Sequence, residues 1–162
     1  MKKIGVREGG VIRNAVLFLA ALLLALTAGR AFWIWIGENP FNMSGQTYVE
    51  FFQQLDKRVA IPIAITGVGG TILAGIAAVL HRSDRKTFYL LVLAFCLGVV
   101  GDLVTLLVNV PINNVLATWN PAALPPDYQE YLLRWWQWHH VRLVVMLAAT
   151  CLVFAAMLGR TQ

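Results

Sequence analysis

The chain has 162 residues, room for one ordinary domain, but only 13% of them are charged and 59% are hydrophobic, against roughly 25% charged in a typical soluble domain. The formal net charge is +5, yet the lysines and arginines stand at the ends of apolar runs and form no basic stripe, which excludes a nucleic-acid-binding surface. The two cysteines, Cys96 and Cys151, both fall inside apolar runs and read as buried small hydrophobes, not as a disulfide framework.

The first apolar run covers about residues 14–36 and follows Lys2, Lys3, Arg7 and Arg13. Gly29-Arg30-Ala31 loosely resembles a signal-peptide cleavage site, but apolar residues continue through Phe32, Trp33, Ile34, Trp35 and Ile36. That is too long for a signal h-region, so the run is expected to be a membrane span. Next comes Thr47-Tyr48-Val49-Glu50, a capping-box pattern. Tyr48, Phe51, Phe52, Leu55 and Val59 then recur at helical spacing. A short amphipathic helix is expected over about 47–58, lying on the membrane surface or over the bundle mouth, with Asp56, Lys57 and Arg58 marking the turn into a second span.

That second span, about 59–80, carries Gly67, Thr71 and Gly75 four apart. One of its faces can therefore be approached closely, by a neighbouring helix or by a second copy of the chain in a homo-oligomer. A basic connection, His81 to Lys86, leads to a third span over about 88–110 that contains Asp102. Asn120-Pro121 and Pro125-Pro126 break the chain after it. Asp127 is placed to cap a helix that starts near Tyr128 and meets no Gly or Pro before Gly159. That helix would be roughly 45 Å long; its part inside the membrane is about 139–159, and the rest protrudes.

Each run is close to the roughly 20 residues needed to cross a bilayer, and a chain in lipid must satisfy its own backbone. The expectation is therefore all-α: an integral membrane four-helix bundle, a single domain over 1–162, with a short outer amphipathic helix. The basic N-terminus, the 81–86 connection and Arg160 fall on one side, which the positive-inside rule makes cytoplasmic. The protein is expected in the plasma (inner) membrane with both termini cytoplasmic and the connections 37–58 and 111–138 outside.

The stretch RWWQWHHVRLVV, residues 134–145, opens the fourth span. Trp135, Trp136 and Trp138, with Trp33 and Trp35, read as an aromatic belt. His139 and Arg142 are three apart and share a helix face, while His140 is rotated away by about 100°. Neighbouring histidines on one helix do not clasp one metal, and His81 falls on the opposite membrane side, so no metal site is expected. Headgroup contact or a satisfied hydrogen bond is the plain alternative for both His139 and His140. Arg30, Asp102 and Arg142 lie within spans, where ionisable groups usually face the bundle interior and pair. Asp102, Asn109 and Asn113, seven and four apart, lie near one stripe whose end Pro111 distorts. Facing Arg30 and Arg142, this stripe would make an outward-opening polar pocket, with Arg142 hydrogen-bonded to Asp102, Asn109 or Asn113. A purely structural ion-pair network is the competing explanation.

Asn109-Val110-Pro111-Ile112-Asn113-Asn114, then Trp119, then Trp135 through Arg142, resembles the anthrone oxygenase-like family of small four-span membrane proteins, much of which is a domain of unknown function. The family pattern is Asn-x-Pro-x-Asn after span three, then Trp-x-x-(Trp)-His/Asn-x-x-Arg at the start of span four. The likeness is strong over about residues 105–145; the Gly29 to Pro40 exit of span one matches more weakly, and the rest matches mostly in topology. The resemblance implies oxidation of an anthrone, or another flat phenolic substrate, by molecular oxygen without a metal or flavin cofactor. Such chemistry needs a base, a cation for the resulting anion and an aromatic cage. Under this reading His139 is the base, and Arg142 with Arg30 stabilises the anion. Asn109 and Asn113 hold substrate oxygens, with Asp102 on the same stripe, and Trp119 and Trp135 stack on flat rings. The rival is a non-enzymatic membrane module or subunit that binds lipid or a partner helix. A transporter is a third class, but no span shows the broken-helix pattern of a midplane site. An enzyme requires a closed apolar cavity ringed by His139, Arg142 and Asn113; a docking module requires none.

Overall fold

The computed structural model describes residues 2–159. Among them there is no strand. The helices in order are α1 (Lys2–Gly37), α2 (Gly45–Leu80), α3 (Arg85–Val104), α4 (Val110–Leu116) and α5 (Tyr128–Leu158). A π-helical stretch, Thr105–Asn109, joins α3 to α4, so Arg85–Leu116 runs as one rod of 32 residues. Among the described residues, four rods are thus long and apolar enough to cross a membrane, and the chain is an all-α four-helix membrane bundle.

The rods stand at the corners of a square. α1 packs on α2 and α5, α3 packs on the same two, and the diagonals touch least. The seams are lined by small residues: Ala20, Ala21, Ala28, Ala74, Ala77, Ala94 and Ala149 are all buried around Leu24, Leu91 and Val153. In lipid, helices gain by close van der Waals contact, and small side chains permit it. The Gly67, Thr71, Gly75 face is covered within the chain itself. Gly67 lies against Thr27 of α1 and Asp102 of α3, Thr71 against Gly98, and Gly75 against the Phe95 ring.

Two glycines on α3 give a contrast that can be measured. A Cβ at Gly98 would stand 2.7 Å from Thr71 Oγ1 and 3.1 Å from Thr71 Cγ2, whereas one at Gly101 would stand 2.6 Å from Met146 Cε. Threonine is β-branched and stiff; the methionine tip can swing aside. Gly98→Ala is expected to lower stability by about 1–3 kcal/mol, and Gly101→Ala by clearly less, read as thermal unfolding of the purified protein in detergent.

Three local expectations change. The amphipathic segment over 47–58 is helical, but it is not a separate outer helix: it is the first third of α2, which continues unbroken through Lys57 and Arg58 and carries Pro62 internally. No Gly or Pro lies between Gln46 and Ile61, so nothing in the backbone enforces a turn. Its cap is Ser44, whose Oγ accepts from the Thr47 N–H at 3.2 Å, and not the Thr47 box. The loops accordingly shrink to 38–44 and 117–127. Asp127 stands at the N-cap position of α5, but its side chain makes no capping bond. Cys96 and Cys151 are exposed on the outside of the bundle, not buried; a rod surrounded by lipid is apolar on every face, so lying in an apolar run does not mean facing inward.

Candidate functional site

At the end that carries loops 38–44 and 117–127 the rods enclose a cavity of about 170 Å³, room for about ten waters. Most of its wall is apolar. Arg30, Asp102, Asn109, Asn113, Trp135 and Arg142 all line it, so the helices do bring these six together. Asp102 and Met146 stand near its floor, and Glu38, Tyr48 and Asp56 line its upper part. From Asp102 to Asn113 the rod advances by roughly 16 Å.

The π-helical stretch sets the upper half of the stripe. The Val110 N–H bonds to Thr105 O, one residue further back than in an α-helix, and Pro111 has no N–H to offer its own turn. The extra residue turns Asn109 inward, where it is buried and its Nδ2 donates to Trp135 O at 3.3 Å. Such π-bulges recur at functional sites. One turn on, Asn113 is held from both sides: its Nδ2 donates to Asp56 Oδ1 at 3.2 Å, and its Oδ1 accepts from Trp135 Nε1 at 2.7 Å. Trp135 is therefore an inward, hydrogen-bonded wall of the cavity and no part of a belt, while Trp138, Trp33 and Trp35 are exposed around the outside of the same end.

His139 is fully buried and stacked against Trp135, with centroids 5.1 Å apart, and Trp136, at 5.6 Å. Its Nε2 lies 3.0 Å from Ala31 O and its Nδ1 3.0 Å from Arg142 Nη2. A carbonyl only accepts and a guanidinium only donates. Nε2 therefore carries the hydrogen, and the Nδ1 lone pair is spent on Arg142. Both nitrogens of His139 are thus engaged in hydrogen bonds, one of them with the Arg142 guanidinium. His140 faces elsewhere, its Nδ1 2.8 Å from Trp136 O.

The charged groups differ from expectation. Arg142 does not bond to Asp102, Asn109 or Asn113; its partner is His139, and its buried Nε has no partner among the described residues. Arg142 is separated from the carboxylate below it by helix register: Gly101 packs against Met146, so Asp102 lies about one turn beneath Arg142. Asp102 leans over Gly67, 3.3 Å from the place of a Cβ there, and makes no ion pair among the described residues. Arg30 is paired, bidentate, with Glu38 at 2.7 and 2.8 Å. Sequence reasoning did not nominate Glu38, nor Tyr48 or Asp56 as site residues. Asp56 belonged to an apparent helix boundary, and Glu38 stands two turns beyond Arg30, just past the end of the span. Trp119 is not part of the cavity wall: its ring meets Tyr131 edge-on at 5.6 Å, and its carbonyl accepts from Gln53 Nε2 at 2.9 Å.

Among the described residues no three of His, Cys, Asp and Glu converge as metal ligands. His81 lies at the far end of α2, its Nδ1 2.7 Å from Ala77 O.

A family model described as anthrone oxygenase matches residues 51–152. The chain belongs to the anthrone oxygenase family. Neither the curated proteins nor the solved structures contain a match. The part that matches the anthrone oxygenase family runs from the second turn of α2 to near the end of α5. It contains Asp56, Asp102, Asn109, Asn113, Trp135, His139 and Arg142; Arg30, Glu38 and Tyr48 lie before it.

Proposed function

We propose that this protein is a cofactor-independent oxygenase of anthrone-like or other flat phenolic compounds, acting in the cavity between its four rods. The observation that carries this reading is Arg142: a cation on the wall of an apolar cavity, hydrogen-bonded to His139 and matched to no carboxylate among the described residues. A docking module needs neither that charge nor the internal volume.

The chemistry is simple in its balance. A base removes a C–H proton from the ring carbon opposite the carbonyl of the anthrone. The electron-rich anion reduces molecular oxygen, and a C–O bond forms to give a peroxide. Loss of the second C–H proton with cleavage of the O–O bond releases one water and leaves a second ketone. One oxygen is consumed per substrate, with no outside reductant. Arg142 stabilises the oxyanion, because a charge-assisted bond in a water-poor site is worth most where charge develops. Arg30, already neutralised by Glu38, contributes less. The base is Asp102 in place of His139, since Asp102 faces the cavity and His139 has both nitrogens in use. Asn109 and Asn113 orient substrate oxygens, and Trp135 forms the flat wall.

Oxygen uptake by proteoliposomes given anthrone tests the reading. The expected result is one oxygen per anthrone, above protein-free liposomes; no excess uptake removes this function and leaves the family membership standing.

The same proposal places the cavity on the outer side of the plasma (inner) membrane, with both termini cytoplasmic. Arg82, Arg85 and Lys86 are exposed at the opposite end of the bundle, where the positive-inside rule puts the cytoplasm. A thiol introduced at Ser83 is expected to stay unlabelled when an impermeant reagent is added to intact cells, and labelling there would invert the orientation.

A further inference from the structure

The cavity is not walled equally on all sides. On the α1 and α5 sides no lining residue is exposed: Thr27, Ala31, Ile34, Trp135 and Met146 are buried, and Arg30 and Arg142 half-buried. On the α2 and α3 sides, Phe51, Ala60, Ala64, Val68 and Leu106 line the cavity and are also exposed on the outside of the bundle, Leu106 at 56%. A side chain that touches both spaces lies on the rim of an opening. Ala60, Ala64 and Val68 fall four apart on one stripe of α2, and Leu106 faces them from the π-helical stretch.

The opening has clear limits. Below it α2 and α3 close tightly, with Thr71 against Gly98 and Gly75 against Phe95. Above it the Asn113–Asp56 hydrogen bond ties α4 to α2. Between Asp56 and Gly67 α2 advances by roughly 16 Å, and the alanines there are too short to bridge the gap. The outward-facing neighbours are Ile61, Ile65 and Leu107, side chains suited to lipid. The loop end, by contrast, is covered. Tyr48, Val49 and Phe52 pack on Ile112, Leu116 and Leu132, Gln53 Nε2 clasps the carbonyls of Leu116 and Trp119, and Glu38 bridges to Arg30.

We infer that the cavity takes its ligand sideways from the bilayer, through the gap between α2 and the π-helical stretch, and that the ligand therefore arrives uncharged and dissolved in lipid. The route rests on the walls of the cavity; that the ligand is a flat aromatic compound, and hence the choice of probe, rests on the proposed function. The neutral quinone product leaves by the same gap.

The probe is anthraquinone, and the readout is quenching of tryptophan fluorescence in proteoliposomes of the full chain. Trp135 lines the cavity, so the saturable part of the quenching should vanish in Trp135→Phe. Ala64→Phe narrows the gap from α2 and Leu106→Phe from the opposite lip. Each should slow binding about tenfold or more while the end point moves by no more than about twofold. Ile61→Phe, on the same helix but facing lipid, should bind at the parent rate. Should Ala64→Phe fail to assemble, Leu106→Phe decides. Gap variants as fast as the parent, or no saturable component in the parent, each overturn the inference. Gap-dependent binding without oxygen uptake would remove the reaction and keep the route; oxygen uptake with gap-indifferent binding would do the reverse.

Discussion

Arg142→Ala is expected to lower the rate of anthrone-dependent oxygen uptake by about 10²–10³-fold, the usual cost of losing a preorganised oxyanion donor, and to do so without unfolding the protein. Arg142 has no carboxylate partner among the described residues, and its buried Nε–H is unsatisfied. A cation held this way costs stability. Arg142→Met should therefore unfold at the same or a higher temperature than the parent while being equally inactive. A structural role for Arg142 predicts the opposite, with stability and activity falling together. Arg142→Lys should recover only part of the rate, because lysine lacks the planar fork that reaches His139 and a substrate oxygen at once. The companion substitution is at His139, which accepts from Arg142 and donates to Ala31 O. Asparagine can do both with its Oδ1 and Nδ2, and the sequence pattern that the chain resembles admits it there. His139→Asn should thus keep much more activity than His139→Ala, and neither should be rescued by alkali. If His139 were the base, Asn would be as inactive as Ala, and both would recover as pH rises.

Asp102→Asn is the second large effect. Removing a general base costs about 10²–10⁴-fold, and the loss should shrink as pH rises. The sign follows from the role. At high pH hydroxide that reaches the cavity can take the proton from the bound substrate in place of the carboxylate, so the Asp102→Asn rate climbs towards that of the parent. Arg142→Ala stays low over the same range, because the anion still lacks its counter-charge. Asp102→Glu should restore part of the rate at neutral pH. Asparagine is neutral and close in shape, and a carboxylate without an ion pair in a membrane span is a cost, so the Asn variant should fold at least as well as the parent. A loss in Asp102→Asn that does not depend on pH, or no loss at neutral pH, would rule out Asp102 as the base.

The sequence alone determined the four rods, because a bilayer demands about 20 apolar residues and a backbone that satisfies itself, and both requirements are local. It also determined where polar groups had to turn inward: Asp102, Asn109, Asn113 and Arg142 do reach one cavity, because an ionisable group inside a span has few other places to go. Faces were a different matter. In a water-soluble helix the polar side marks the surface, but in these rods both sides are apolar, so nothing in the chain distinguished the outward Cys96 and Cys151 from the buried Ala94 and Ala149. Nor could residue spacing give the pairings. Arg142 was expected to meet the polar stripe of α3 and instead meets His139 on its own helix, because the one-turn offset set by Gly101 on Met146 leaves Asp102 below it. Arg30 is claimed by Glu38, and Trp135 leaves the aromatic belt because Asn113 offers its Nε1–H a partner indoors. These outcomes depend on how far one rod is slid and rotated against the next, which is decided by the close fit of small residues across all four seams and not by any segment of the chain taken singly.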